Sequence, residues 1–175
     1  MAATRKITPA KESTATLLEF FYPIHYKLGM ALEDALRGEQ LTRKQVAILW
    51  LIRAEGGPEH RMQRKEIERL LSTWYEVSSS AITKALRAMA RPPLELVQIV
   101  EDPQSGREKQ VFLTPNGKQF LHTMVEAGER YLQEITTQLS SQTVQTGINF
   151  LSQVTTALEQ VHSTTPPGKG KKRAA

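Results

Sequence analysis

A mainly α-helical chain with one small β-hairpin is the fold class this sequence predicts, and three observations predict it. Apolar residues recur every three or four positions over most of the chain, as amphipathic helices require. One segment, Leu96–Val100, is instead β-branched and apolar, and it returns through Asp102-Pro103-Gln104-Ser105-Gly106 into Arg107–Leu113. Just before that hairpin lies a short helix, Ser78–Arg91, whose two faces differ in chemistry.

Ser78-Ser79-Ser80 supplies N-cap candidates for this helix, and Arg91-Pro92-Pro93 closes it. Ile82, Ala85, Leu86 and Met89 share one face. At about 100° per residue, Ser80, Thr83, Lys84, Arg87 and Arg91 fall opposite, with no carboxylate among them. A helix packed by one side and offering hydroxyls and cations on the other suits a DNA major groove. With the hairpin behind it, the unit reads as a winged helix-turn-helix, whose wing tip reaches phosphate or minor groove. The candidate DNA contacts are Ser78, Ser79, Ser80, Thr83, Lys84, Arg87 and Arg91 on the helix, and Gln104, Arg107 and Lys109 on the wing.

The other elements follow in order. Residues 1–11 lack periodicity and are expected to form a flexible arm. Leu17, Phe21, Ile24, Leu28, Leu32 and Leu36 form a helical stripe with Pro23 inside it, so that either the helix kinks there or a new one begins. Thr42 and Gln45 make a capping box, with Leu41 and Val46 as its hydrophobic staple, and Gly56-Gly57-Pro58 ends the helix they open. Met62–Leu71 reads as a third helix, facing inward through Ile67, Leu70 and Leu71. Thr114-Pro115 starts a long helix through Leu121, Gly128, Leu132, Ile135 and Leu139, and Val144, Ile148, Leu151, Thr155, Leu158 and His162 continue the spacing beyond Ser140-Ser141.

These striped terminal segments, 12–40 and 116–162, flank the winged helix-turn-helix at 41–115. They exceed what so small a core can bury, so they are expected to be dimerisation helices of a homodimer. Residues 163–175, with Lys169, Lys171, Lys172 and Arg173, are expected to be a disordered basic tail.

Composition excludes several alternatives. With no cysteine there is no disulfide framework, thiolate nucleophile or Cys-ligated zinc, and a cytoplasmic location is expected. No apolar run of about 18 residues is present to span a membrane, and Met1–Lys6 lacks the apolar region of a signal peptide, so none is expected. The net charge of +5 owes four charges to the tail, leaving the rest nearly neutral. Within 61–91, however, seven cations stand against Glu66, Glu68 and Glu76, an electrostatic footprint where DNA contact is expected.

Catalytic chemistry is missing from the pattern. His25, His60, His122 and His162 form no metal-ligand spacing, and no cofactor loop, nucleophile motif or paired carboxylates appear. Phe21, His25 and Tyr26, with Trp50, are candidates to bind a small aromatic or carboxylate effector, against the plainer reading of an aromatic core patch. Three classes remain open: a dimeric transcription regulator on double-stranded DNA, a winged-helix module for replication or protein contacts, and an enzyme whose site the sequence does not display.

Four motifs in order resemble the multiple-antibiotic-resistance regulator (MarR) family. Leu41-Thr42-Arg43-Lys44-Gln45 resembles its LT-x-x-Q helix start, and Ser78–Leu86 its recognition helix. Asp102–Arg107 is similar to its D-x-R-D-x-R wing, and Leu113–Gly117 to its LT-x-x-G exit. The resemblance implies a homodimer placing two recognition helices on a palindromic operator, with repression as the usual outcome, and minor-groove insertion of Arg107. It also implies that any effector pocket lies between the first helix and the DNA-binding domain. Gln104 and Ser105 depart from the wing pattern, and Thr73–Val77 reads as an extension before the recognition helix, with Trp74 and Tyr75 expected to plug it.

Overall fold

The computed structural model describes residues 9–102, 105 and 108–164. The elements are α1 (Pro9–Pro23), a π-helical segment (Ile24–Gly29), α2 (Met30–Arg37), α3 (Arg43–Glu55), β1 (Arg61–Gln63), α4 (Arg64–Trp74), α5 (Ser79–Met89), β2 (Val97–Glu101), β3 (Lys109–Leu113), α6 (Pro115–Thr136) and α7 (Ser141–Thr164). The chain divides into two compact units, Met1–Tyr131 and Leu132–Ala175.

The mainly helical fold with a β wing is as the sequence predicts, and several local signals hold. Thr42 caps α3: its Oγ1 accepts from Gln45 N at 3.4 Å, while Gln45 Oε1 accepts from Thr42 N at 2.9 Å. Both members of the staple, Leu41 and Val46, are buried. Ser78 caps α5, its Oγ accepting from Ala81 N at 3.2 Å. Thr114 caps α6 by accepting from Gly117 N at 2.9 Å, with Pro115 at the first helical position.

Four expectations change. Pro23 does not open a new helix: α1 ends on it and the chain runs on into the π-helical segment. Proline lacks the N–H of the i−4 ladder, and the wider π turn begins where that ladder is interrupted. α1 itself begins at Pro9, so 9–11 are helical rather than part of an arm; residues 1–8 and 165–175 lie outside the described residues. The third helix starts at Arg64, because Arg61–Gln63 forms a strand. Finally, α4 continues through Trp74, which shortens the expected extension to Tyr75–Val77. Trp74 is exposed, and Tyr75 and Val77 alone pack against the core.

The sheet is antiparallel in the order β1-β3-β2, so a third strand joins the predicted hairpin. Met62 and Ile99 both face Val111 across the central strand. Met62 and Val111 are buried in one core with Ile48, Leu49 and Ile52 of α3, Ile67 and Leu71 of α4, and Ile82, Leu86 and Met89 of α5. Each side chain of this size contributes roughly 1.5–3 kcal/mol on burial, which fixes the faces that α4 and α5 turn outward. Leu96 N donates to Met89 O at 2.7 Å, tying the end of α5 to the start of the hairpin.

Apolar residues elsewhere stay open. Leu17, Leu18, Phe20, Phe21, Tyr22, Ile24 and Tyr26 are exposed along α1 and the π-helical segment. In the second unit the last turn of α6 and all of α7 expose Ile135, Ile148, Phe150, Leu151, Leu158 and Val161. No described helix is long and apolar enough to cross a membrane.

Candidate nucleic-acid interface

The core-facing residues of α5 turn its other side outward. Ser79, Ser80, Thr83, Lys84, Arg87 and Arg91 line one open groove together with Ala88. All are exposed except Thr83, which is half-buried. Among the described residues, none of Lys84, Arg87 and Arg91 is held in an ion pair, so their charge faces solvent uncompensated. Ser78 is the N-cap of α5, where its Oγ is occupied in capping and lies 2.9 Å from Ser80 Oγ.

α4 braces this surface. Arg64 Nη1 donates to Ser79 Oγ at 3.2 Å and to Thr83 Oγ1 at 3.3 Å, and Arg64 Nη2 lies 2.8 Å from Glu68 Oε2. Ser79 Oγ donates to the same carboxylate oxygen at 3.0 Å. Sequence reading missed Arg64 and Glu68 as parts of the site. Their i,i+4 spacing signalled an ion pair, but not that it would reach across to α5.

The wing is fixed at its foot. Asp102 is buried and accepts from Gln110 Nε2 at 2.8 Å, while its backbone N–H donates to Glu108 O at 2.8 Å. Ser105 N donates to Asp102 O at 3.3 Å, and Ser105 Oγ accepts from Glu108 N at 2.9 Å. Ser105 thus takes a structural part in the turn. Lys65, next to Arg64, pairs with Glu108 and links α4 to the hairpin. Lys109 begins β3 opposite Glu101 and is exposed, whereas Gln104 and Arg107 lie outside the described residues.

The aromatic group is arranged differently from a pocket. Phe21, His25 and Tyr26 are exposed, with the rings of His25 and Tyr26 edge to face at 4.7 Å. Trp50 is exposed on α3 beneath the Arg53 guanidinium, 4.9 Å from its ring centre. No group of three or more His, Asp or Glu among the described residues is placed to hold a metal ion.

Comparison with known proteins agrees with this geometry. Residues 41–117 match the family of winged helix DNA-binding domains. Apo MarR from Escherichia coli superposes with a TM-score of 0.64 at 22% identity, over 86% of this chain and 98% of that one. A mutant of the same protein complexed with operator DNA gives 0.59 at 22% identity, over 84% and 99%. A MarR family protein from Bacillus stearothermophilus gives 0.68 at 17% identity, over 85% and 97%. No curated protein sequence matches the chain. The chain has the winged helix-turn-helix fold of MarR-family structures, with the match to winged helix DNA-binding domains confined to 41–117.

Proposed function

We propose that this protein is a MarR-type transcription regulator that binds double-stranded DNA through α5 and the wing. One observation carries the reading: α5 presents a groove of hydroxyls and unpaired cations, free of carboxylate, on a helix whose other face is locked in the core. Thr83, Lys84 and Arg87 read base edges, while Ser80, Arg91 and the wing's Lys109, Gln104 and Arg107 meet the backbone or minor groove. The MarR complexed with operator DNA supports the same use of the shared fold.

Two copies act together, with the exposed apolar faces of α1 and α7 as the contact. Their α5 helices enter half-sites about 34–36 Å apart on a palindrome. Occupancy of such a site represses by excluding polymerase. A small aromatic effector would enter at Phe21, His25, Tyr26 and Trp50, where a second copy closes what one protomer leaves open. The protein acts in the compartment that holds the DNA.

Selection from a pool of random duplexes, followed by fluorescence-anisotropy titration at several salt concentrations, tests the reading. A palindromic preference with a negative salt slope is expected. Binding that is absent, or indifferent to sequence, would reject it in favour of a winged helix serving protein contacts.

A further inference from the structure

The Arg64–Glu68 pair determines which atoms of α5 are left for a ligand. Thr83 Oγ1 donates to Ser79 O at 3.0 Å and accepts from Arg64. Ser79 Oγ donates to Glu68 and accepts from the same guanidinium. Both hydroxyl hydrogens are therefore committed inside the protein, and each oxygen already accepts one bond. The pair is shielded as well, Arg64 and Glu68 keeping 24% and 30% of their side-chain surface exposed. Neither hydroxyl can therefore donate to a ligand, and Thr83, which lines the groove, keeps its methyl group and one acceptor lone pair.

We propose that the Arg64–Glu68 pair contributes to specificity: with the Ser79 carbonyl it holds both hydroxyls so that neither can donate to DNA, and Thr83 meets base edges through its methyl and selects thymine. The inference rests on α5 being the helix that enters the major groove. A free hydroxyl tolerates several bases because it can donate or accept, whereas a methyl recognises the C5-methyl that thymine alone carries there. Glu68 has a second effect: it cancels the charge of Arg64, which would otherwise attract phosphate in any sequence.

The full chain is titrated by fluorescence anisotropy against its selected duplex and a scrambled one, as wild type, Thr83→Val, Thr83→Ser and Glu68→Gln, each checked by circular dichroism melting. Thr83→Val should keep the wild-type preference, and Thr83→Ser should reduce it about fivefold or more. Deoxyuracil in place of the contacted thymine, a change that leaves the protein untouched, should weaken wild type by a similar factor and leave Thr83→Ser unaffected. Glu68→Gln should bind the scrambled duplex more tightly and steepen the salt slope by about one unit. The proposal is overturned if Thr83→Ser retains the preference that Thr83→Val loses, or if no deoxyuracil substitution matters. It is equally overturned if Glu68→Gln matches wild type in slope and preference, the pair then being only a tie between helices. A wild type that selects no duplex is a separate result, which removes the DNA-binding reading itself.

Discussion

Tyr75 donates its phenol to Glu33 Oε1 at 3.0 Å, joining α2 to the short connection that leads into α5. The other oxygen of Glu33 lies 3.2 Å from Arg43 Nε, so one carboxylate serves both the linker and the start of α3. Burial first, and then the bond to Glu33, holds the Tyr75 phenol above its ordinary range.

A pH dependence follows from the sign of that shift. A phenol whose folded pKa is raised contributes stability fully below its unfolded value near 10, and loses it as pH rises through the folded value. Tyr75→Phe should cost about 1 kcal/mol at neutral pH, the worth of one hydrogen bond. The difference between wild type and variant should shrink above about pH 10. Urea unfolding midpoints from pH 7 to 11 measure it, and a constant difference would show that the Tyr75 bond is not made.

Gly117 sits where α6 crosses the entry to β2. A Cβ there would stand 1.9 Å from Leu96 O, a backbone atom that cannot swing aside. Gly117→Ala should therefore destabilise by about 3 kcal/mol, at the upper end of overpacking costs. In α7, Gly147 has nothing within 4 Å of such a Cβ, so Gly147→Ala should stabilise its helix by about 0.5–1 kcal/mol. Thermal melts of the two variants should move in opposite directions.

Helix and wing cations should have separable effects on DNA. Arg87→Ala should cost about 1–3 kcal/mol on the selected duplex and relax discrimination at one base position per half-site. Lys109→Ala should weaken cognate and scrambled duplexes alike and make the salt slope shallower by roughly one unit. Equal losses on both duplexes for Arg87→Ala would demote it to a phosphate contact.

The open faces of α1 and α7 carry a prediction about assembly. Sedimentation at micromolar concentration should give a species near twice 19.7 kDa. Ile148→Glu combined with Leu151→Glu, placing charge on two exposed apolar positions of α7, should shift it to monomer. A monomeric wild type would rule out the two-half-site arrangement.

Features decided within a few residues were legible in the sequence. The Thr42–Gln45 box needs only its own turn, and the polar face of α5 follows from periodicity. β1 was not legible, because Arg61-Met62-Gln63 is too short to alternate and is a strand only where β3 supplies an edge. Trp74 misled for a related reason: an aromatic beside a helix end suggests burial, yet α4 carries it outward while Tyr75 finds Glu33. Arg64 was invisible as a site residue because its partners Ser79 and Thr83 lie 15 and 19 positions away.

β1 runs without a break into α4, and β1 is also stitched to the central strand of the wing sheet. Two consecutive residues at the head of α4 then grip in opposite directions, Arg64 onto α5 and Lys65 onto Glu108 at the foot of the hairpin. The two parts proposed to face DNA are in effect the jaws of one caliper, whose gap is set when the domain folds. On the proposed reading, in which two copies share one operator, a signal that releases the DNA would act on where two such calipers stand relative to each other, while the gap within each stays constant.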